Sequence, residues 1–210
     1  MTKKLLLIII FLMAAVSVFA NMSSYSDTLV PAVTDWSGTL SFQKFDSSLG
    51  TLNSVQIDLS GAISSLITIA NNAASETSGS VDINIELSVS GADFDVPVMN
   101  MAFPTYYFTV PAGQSLNSAD SLSQSDSSSS IFTAPGILSE FTGTGTIVLD
   151  AATLTGTSVS YTGGNIDFNQ ITSCGLTGTV TYNYEKEILP EPATICLLGL
   201  GTLSLIRRKR

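Results

Sequence analysis

The chain has 210 residues, with 8 Lys+Arg against 17 Asp+Glu, a formal net charge of −9, no histidine and two cysteines. Charged residues make up only 12%, about half of the usual quarter, yet mean hydropathy is +0.37, so apolar residues are concentrated somewhere. The missing imidazole excludes every catalytic or zinc scheme that needs one, and so few basic residues leave no phosphate-neutralising surface for nucleic acid.

The chain opens as a secretory leader. Lys3 and Lys4 form a basic n-region, Leu5 to Met13 is apolar, and Val18 and Ala20 place small residues at −3 and −1. This predicts a signal peptide over 1–20, helical in its apolar part, handed to the Sec machinery and cut by signal peptidase between Ala20 and Asn21. The apolar run is shorter than the roughly 20 residues of a membrane span.

From Asn21 to Leu189 no amphipathic helix stands out, and period-two alternation recurs. Val81 to Val89 is the cleanest case, aliphatic at odd positions and polar at even ones. Val55 to Leu59 follows the same pattern and is read as ending at Ser60-Gly61; Leu176 to Tyr184 is rich in threonine, which suits the pleat. Further candidate strands are Gly38 to Phe45, Ile63 to Ile69, Tyr106 to Val110, Gly145 to Asp150 and Ser158 to Thr162. Asp46 is placed to open a turn that Gly50 closes with positive φ; Gly143-Thr144-Gly145 and Gly163-Gly164 read as turns rather than phosphate loops. The fold class expected is all-β: one antiparallel β-sandwich or jelly-roll-like domain over 21–189, flanked by an N-terminal signal helix and a C-terminal hydrophobic helix. Ser115 to Ser130, serine-dominated and with little to bury, is expected to be a long loop.

Few residues in this domain offer chemistry. Asp93 and Asp95 are the densest carboxylate pair: a solvated loop, a weak Ca²⁺ site, or the acid and base of a glycosidase-type hydrolase. Tyr106, Tyr107 and Phe108 form an aromatic run in which alternation puts Tyr106 and Phe108 on one face and Tyr107 on the other. It reads as core packing or, together with Trp36, as a platform for stacking sugars. Cys174 is a small buried hydrophobe, an intermolecular bridge or, least fittingly without histidine, a nucleophile. Cys196 lies in the terminal segment, so no intrachain disulfide survives its removal.

The terminal segment has three parts in order. Pro190, Glu191 and Pro192 form an extended motif, 193–206 is an uncharged apolar stretch, and Arg207, Arg208, Lys209 and Arg210 close the chain as a basic stop. From Ala193 to Ile206 is about 14 residues, roughly 21 Å of helix, short for a permanent span but tolerable for transient insertion in the inner membrane with snorkelling arginines. This tail, 190–210, resembles the PEP-CTERM sorting signal of Gram-negative-type bacteria. The resemblance implies recognition and processing by an exosortase and delivery to the cell surface or an exopolysaccharide matrix. Without residues 1–20 and 190–210, the domain keeps only Lys44 and Lys186 against sixteen acidic residues, a formal charge of −14. That favours solubility and repels other polyanions.

A second resemblance rests on Trp36, Leu40, Phe42, the block Phe45-Asp46-Ser47-Ser48-Leu49-Gly50-Thr51-Leu52-Asn53-Ser54-Val55-Gln56-Ile57-Asp58-Leu59-Ser60-Gly61, and the Gly/Thr strands at 141–147 and 178–184. From Thr34 to Glu185 the chain is similar to the choice-of-anchor E domain, which implies an anchored extracellular β-domain and supplies no catalytic residues. The expected function is therefore an exported structural or adhesive surface protein, not an enzyme. A carbohydrate-binding module is the alternative, and a carboxylate-dependent hydrolase comes after it.

Overall fold

The computed structural model describes residues 20–118 and 122–186. Most of them lie in two antiparallel sheets. The first runs β1 (Ala20–Val33), β10 (Ile166–Glu185), β3 (Thr51–Asn71), with β7 (Ser115–Asn117) and β8 (Leu122–Phe132) sharing the far edge of β3. The second runs β2 (Ser37–Gln43), β9 (Thr146–Thr162), β4 (Thr77–Ser90), with β5 (Asp95–Ala102) and β6 (Tyr106–Val110) sharing the far edge of β4. The one α-helix among the described residues is the short α1 (Pro135–Glu140), started by a proline whose missing N–H costs nothing there. None of the described helices is long and apolar enough to cross a membrane. The expected flanking helices fall outside the described residues.

Alternation builds the core. In β4 Val81, Ile83, Ile85, Leu87 and Val89 are buried, and in β3 so are Val55, Ile57, Leu59, Ile63, Ile67 and Ile69. These two rows face each other, because a strand side chain period of two puts every second residue on the inner face. Two inward-facing glycines leave room for side chains of the other sheet. A Cβ on Gly61 of β3 would sit 3.1 Å from a Leu87 methyl and 3.0 Å from the Met101 methyl of the other sheet; one on Gly178 of β10 would sit 2.7 Å from a Leu40 methyl. All of these belong to one hydrophobic cluster, as the sequence pattern requires of a domain with a single core.

Three expectations change. The strands anticipated at Val55–Leu59 and Ile63–Ile69 are one strand, because Ser60-Gly61 continues the ladder and Gly61 faces inward beneath Met101 and Leu87. The strands anticipated at Gly145–Asp150, from Thr146 on, and Ser158–Thr162 likewise belong to one strand, β9, which runs unbroken along β4 from Asp150 to Thr162. The serine-rich segment expected as a loop carries β7 and β8 instead, and β8 pairs with β3 from Leu122 opposite Ser65 to Phe132 opposite Val55. An edge strand needs backbone pairing along one side and little apolar side chain. Leu122 and Phe132 anchor its ends on the core, and the Ser129 hydroxyl donates to the Asp58 carboxylate at 2.6 Å.

β1 was not recognised in the sequence, and polar bonds hold it. Ser24, Ser26 and Thr28 hydroxyls meet those of Thr181, Thr179 and Thr177 across the strand pair at 2.9, 2.8 and 3.2 Å. Its free edge is blunted. The Asp27 carboxylate accepts the Ser41 N–H at 2.7 Å, tying β1 to β2, and an irregularity at Pro31 interrupts the register between Leu29 and Ala32.

Candidate functional site: the pole that leads into the tail

The first and last strands pair antiparallel over their whole shared length, so the chain enters and leaves at one pole. Ala20 lies opposite Glu185 and Asn21 opposite Tyr184. The expected cleavage point, Ala20–Asn21, is thus at the outset of β1, and the Pro190 motif follows the end of β10 by five residues. Pro190, Glu191, Pro192, Arg207, Arg208, Lys209 and Arg210 lie outside the described residues, as does the rest of the leader.

The pole is built from aromatic packing. Phe45, Phe141 and Tyr182 are buried, with ring centroids 5.8 Å apart for Phe45–Tyr182 and 6.2 Å for Phe141–Tyr182. Phe94 continues the stack to Phe141 at 5.3 Å and Phe132 at 5.0 Å, and Tyr184 packs on Phe45 at 5.0 Å. Such tilted pairs contribute beyond their burial. The Tyr182 hydroxyl donates to the Gln43 carbonyl at 2.8 Å, and burial among these rings, with Tyr25 adding to it, pushes its ionisation far up.

Over this layer runs the segment between β2 and β3. The Asp46 carboxylate caps a 3-10 turn (Ser47–Leu49) by accepting the Ser48 N–H at 2.8 Å, which holds its own ionisation below the ordinary carboxylate range. Gly50 then takes φ +144°, which the turn reading allowed, and lies so close to the Glu185 carbonyl that no Cβ fits. Between this turn and α1 opens a shallow apolar groove of about 620 Å³, lined by Phe45, Gly50, Leu52, Pro135, Leu138 and Thr142 among others.

The carboxylates arrange themselves differently from the sequence reading. Asp93 and Asp95 are both exposed on either side of buried Phe94, and the neighbour that matters to Asp93 is Glu140 at the end of α1, which nothing local in the sequence signalled. Among the described residues no three potential ligands gather as a metal site would need. Partial burial, then the Asp93 charge, raise the Glu140 pKa, with Lys44 opposing them; one Glu140 carboxylate oxygen is buried without a hydrogen-bond partner. A carboxyl whose folded pKa is raised binds its proton more tightly when folded, so its contribution to stability is present at low pH and lost as pH rises through the folded pKa. Glu140→Gln is therefore expected to raise the melting temperature at neutral pH and to flatten the fall in stability as pH rises through the raised Glu140 pKa, measured by thermal melts from about pH 4 to pH 8. An unchanged pH profile would show that neither burial nor Asp93 raises the Glu140 pKa in the folded domain.

The aromatic run sorts as its alternation required: Phe108 is buried, Tyr106 packs on the core, and Tyr107 is 78% exposed. Trp36 is partly buried, and its indole N–H donates to the Cys174 carbonyl at 3.1 Å. Cys174 is fully buried and free, and burial pushes its thiol up to about 11, which disfavours the thiolate that reactivity needs.

The PEP-CTERM protein-sorting motif matches residues 189–210. That motif marks an exported protein, targeted to an exosortase and to a cell-surface or extracellular location. No curated protein matches the chain. Among solved structures, an IBDV T13 viral particle aligns at 12% identity over 89% of this chain and 47% of the other, with a TM-score of 0.17. A Gx-strain structure of infectious bursal disease virus aligns at 16% over 80% and 38%, TM-score 0.20. The Cry23Aa1–Cry37Aa1 binary complex aligns at 10% over 90% and 96%, TM-score 0.25. The chain spans less than half the length of the viral chains, and superpositions this loose bear on neither fold nor function.

Proposed function

We propose that this is a structural or adhesive protein of the cell surface or extracellular matrix, without catalytic activity of its own. Its one enzymatic encounter is as substrate: an exosortase processes the tail while the apolar stretch 193–206 is transiently in the inner membrane and the basic end stays inside. The carrying observation is the sorting motif at 189–210, following directly on the strand that ends at Glu185. The similarity of Thr34–Glu185 to the choice-of-anchor E domain supports the same reading, as do outer sheet faces rich in serine and threonine. An acidic domain of this kind meets an acidic exopolysaccharide only through bridging cations.

Glu191→Ala tests it. The variant is expected to keep its tail and accumulate in the membrane fraction, whereas the native chain loses mass at the C-terminus and reaches the surface. Identical intact mass and identical fractionation of the two would overturn the assignment.

A carbohydrate-binding module is the second reading, and one observation favours it. Tyr107 stands on the outer face of the second sheet in a row with Ser80 and Ser160, beside the hydrogen-bonded pair Ser78–Thr109. Tyr161, also exposed, lines the same shallow depression as Tyr107, whereas Tyr106 and Trp36 are engaged by the core.

A further inference from the structure

We propose that the apolar groove at the tail pole is the docking site for Ile188 and Leu189, the two residues that precede the sorting motif. Three observations lead there. The groove is open, apolar and lined by Phe45, Leu52, Leu138 and Pro135. Gly50 also lines it, and the missing Gly50 Cβ would lie 2.9 Å from the Lys186 Cα, so the departing chain passes Lys186 beside a residue of the groove. Finally, Ile188 and Leu189 form an isolated apolar pair between the charged run Glu185-Lys186-Glu187 and Pro190. Two residues of extended chain reach at most about 7 Å, so from Lys186 the groove is within the span open to Ile188.

The consequence concerns presentation of the motif. With Leu189 seated, Pro190 leaves the pole at a fixed place, and the membrane-addressed stretch beyond it departs in one direction. The domain then faces the membrane with this pole, and the processing enzyme meets the motif and the folded domain as one surface. That consequence rests on the sorting reading; the docking itself does not.

The test is a disulfide trap in the full chain carrying Cys196→Ser, made in cells without exosortase and purified in detergent. Leu138→Cys with Leu189→Cys is expected to close within one chain, seen as a mobility shift reversed by reductant, to a yield matching Ser24→Cys with Thr181→Cys, whose native hydroxyls lie 2.9 Å apart. Ser139→Cys, on the exposed side of the groove, replaces Leu138→Cys if the latter unfolds. Gly113→Cys with Leu189→Cys should not close, since Gln114 pairs its carbonyl with Asn71 at the opposite pole. No closure at the groove while the Ser24/Thr181 pair closes would overturn the proposal. So would closure only between two chains, which would make the groove a dimer contact. Because the readout involves no processing, failure here leaves the Glu191→Ala result free to stand or fall separately.

Discussion

Tyr182→Ala is expected to cost about 3–5 kcal/mol, the loss typical of a large aromatic removed from a close-packed core. Tyr182 is the hub of the tail pole: it is wholly buried, touches the rings of Tyr25, Phe45 and Phe141, and bonds the last carbonyl of β2. A domain stable by roughly 5–15 kcal/mol cannot absorb that loss unmarked. Tyr182→Phe separates the two contributions. It keeps the ring and orphans only the Gln43 carbonyl, an expected loss of about 1 kcal/mol. Urea unfolding followed by the fluorescence of Trp36, the only tryptophan in the chain, measures both variants. Equal losses for the two would mean that the hydroxyl, and not the aromatic packing, holds the pole together.

Gly50→Ala is the second large effect, and it acts where the chain leaves. The backbone there has φ 144° and ψ −156°, a region open essentially to glycine alone, worth about 1–3 kcal/mol of strain for any other residue. The added methyl must also displace the Glu185 carbonyl and Lys186, which are backbone atoms with no rotamer to yield. The end of β10 is expected to lift from β3, lowering protection of the Tyr184 and Glu185 amides from hydrogen exchange along with overall stability. Gly143→Ala provides the comparison. Gly143 also has positive φ, at 129°, but nothing lies within 4 Å of its missing Cβ, so it should suffer the strain alone. If both variants lose the same stability and exchange protection, the close approach at Gly50 is not what holds β10.

These two residues also mark how far local pattern reaches. Phe45 to Leu59 reads in part from the sequence: Asp46 opens the turn, Gly50 can take the positive φ found there, and alternation announces the strand over Val55–Leu59. What alternation does not carry is length. β3 runs through Ser60-Gly61 because Leu87 and Met101, distant in sequence, fill the space a side chain there would have taken. Composition misleads about β8 for a related reason. A strand at a sheet edge owes its existence to backbone groups offered by its neighbour, and serine supplies backbone as well as valine does.

By itself, then, the sequence determined the all-β character, the buried faces of β3 and β4, the inward and outward sides of the Tyr106–Phe108 run, and the address carried by the tail, because each follows from residues adjacent or regularly spaced in the chain. Only the tertiary structure decided that Ala20 lies opposite Glu185, that Glu140 is the partner of Asp93, and that Gly50, Leu52, Pro135 and Leu138 form a groove where the chain departs. Those juxtapositions join residues far apart in the sequence, and no local periodicity encodes them; they arise when two sheets bury their apolar faces together and bring both ends of the domain to one pole.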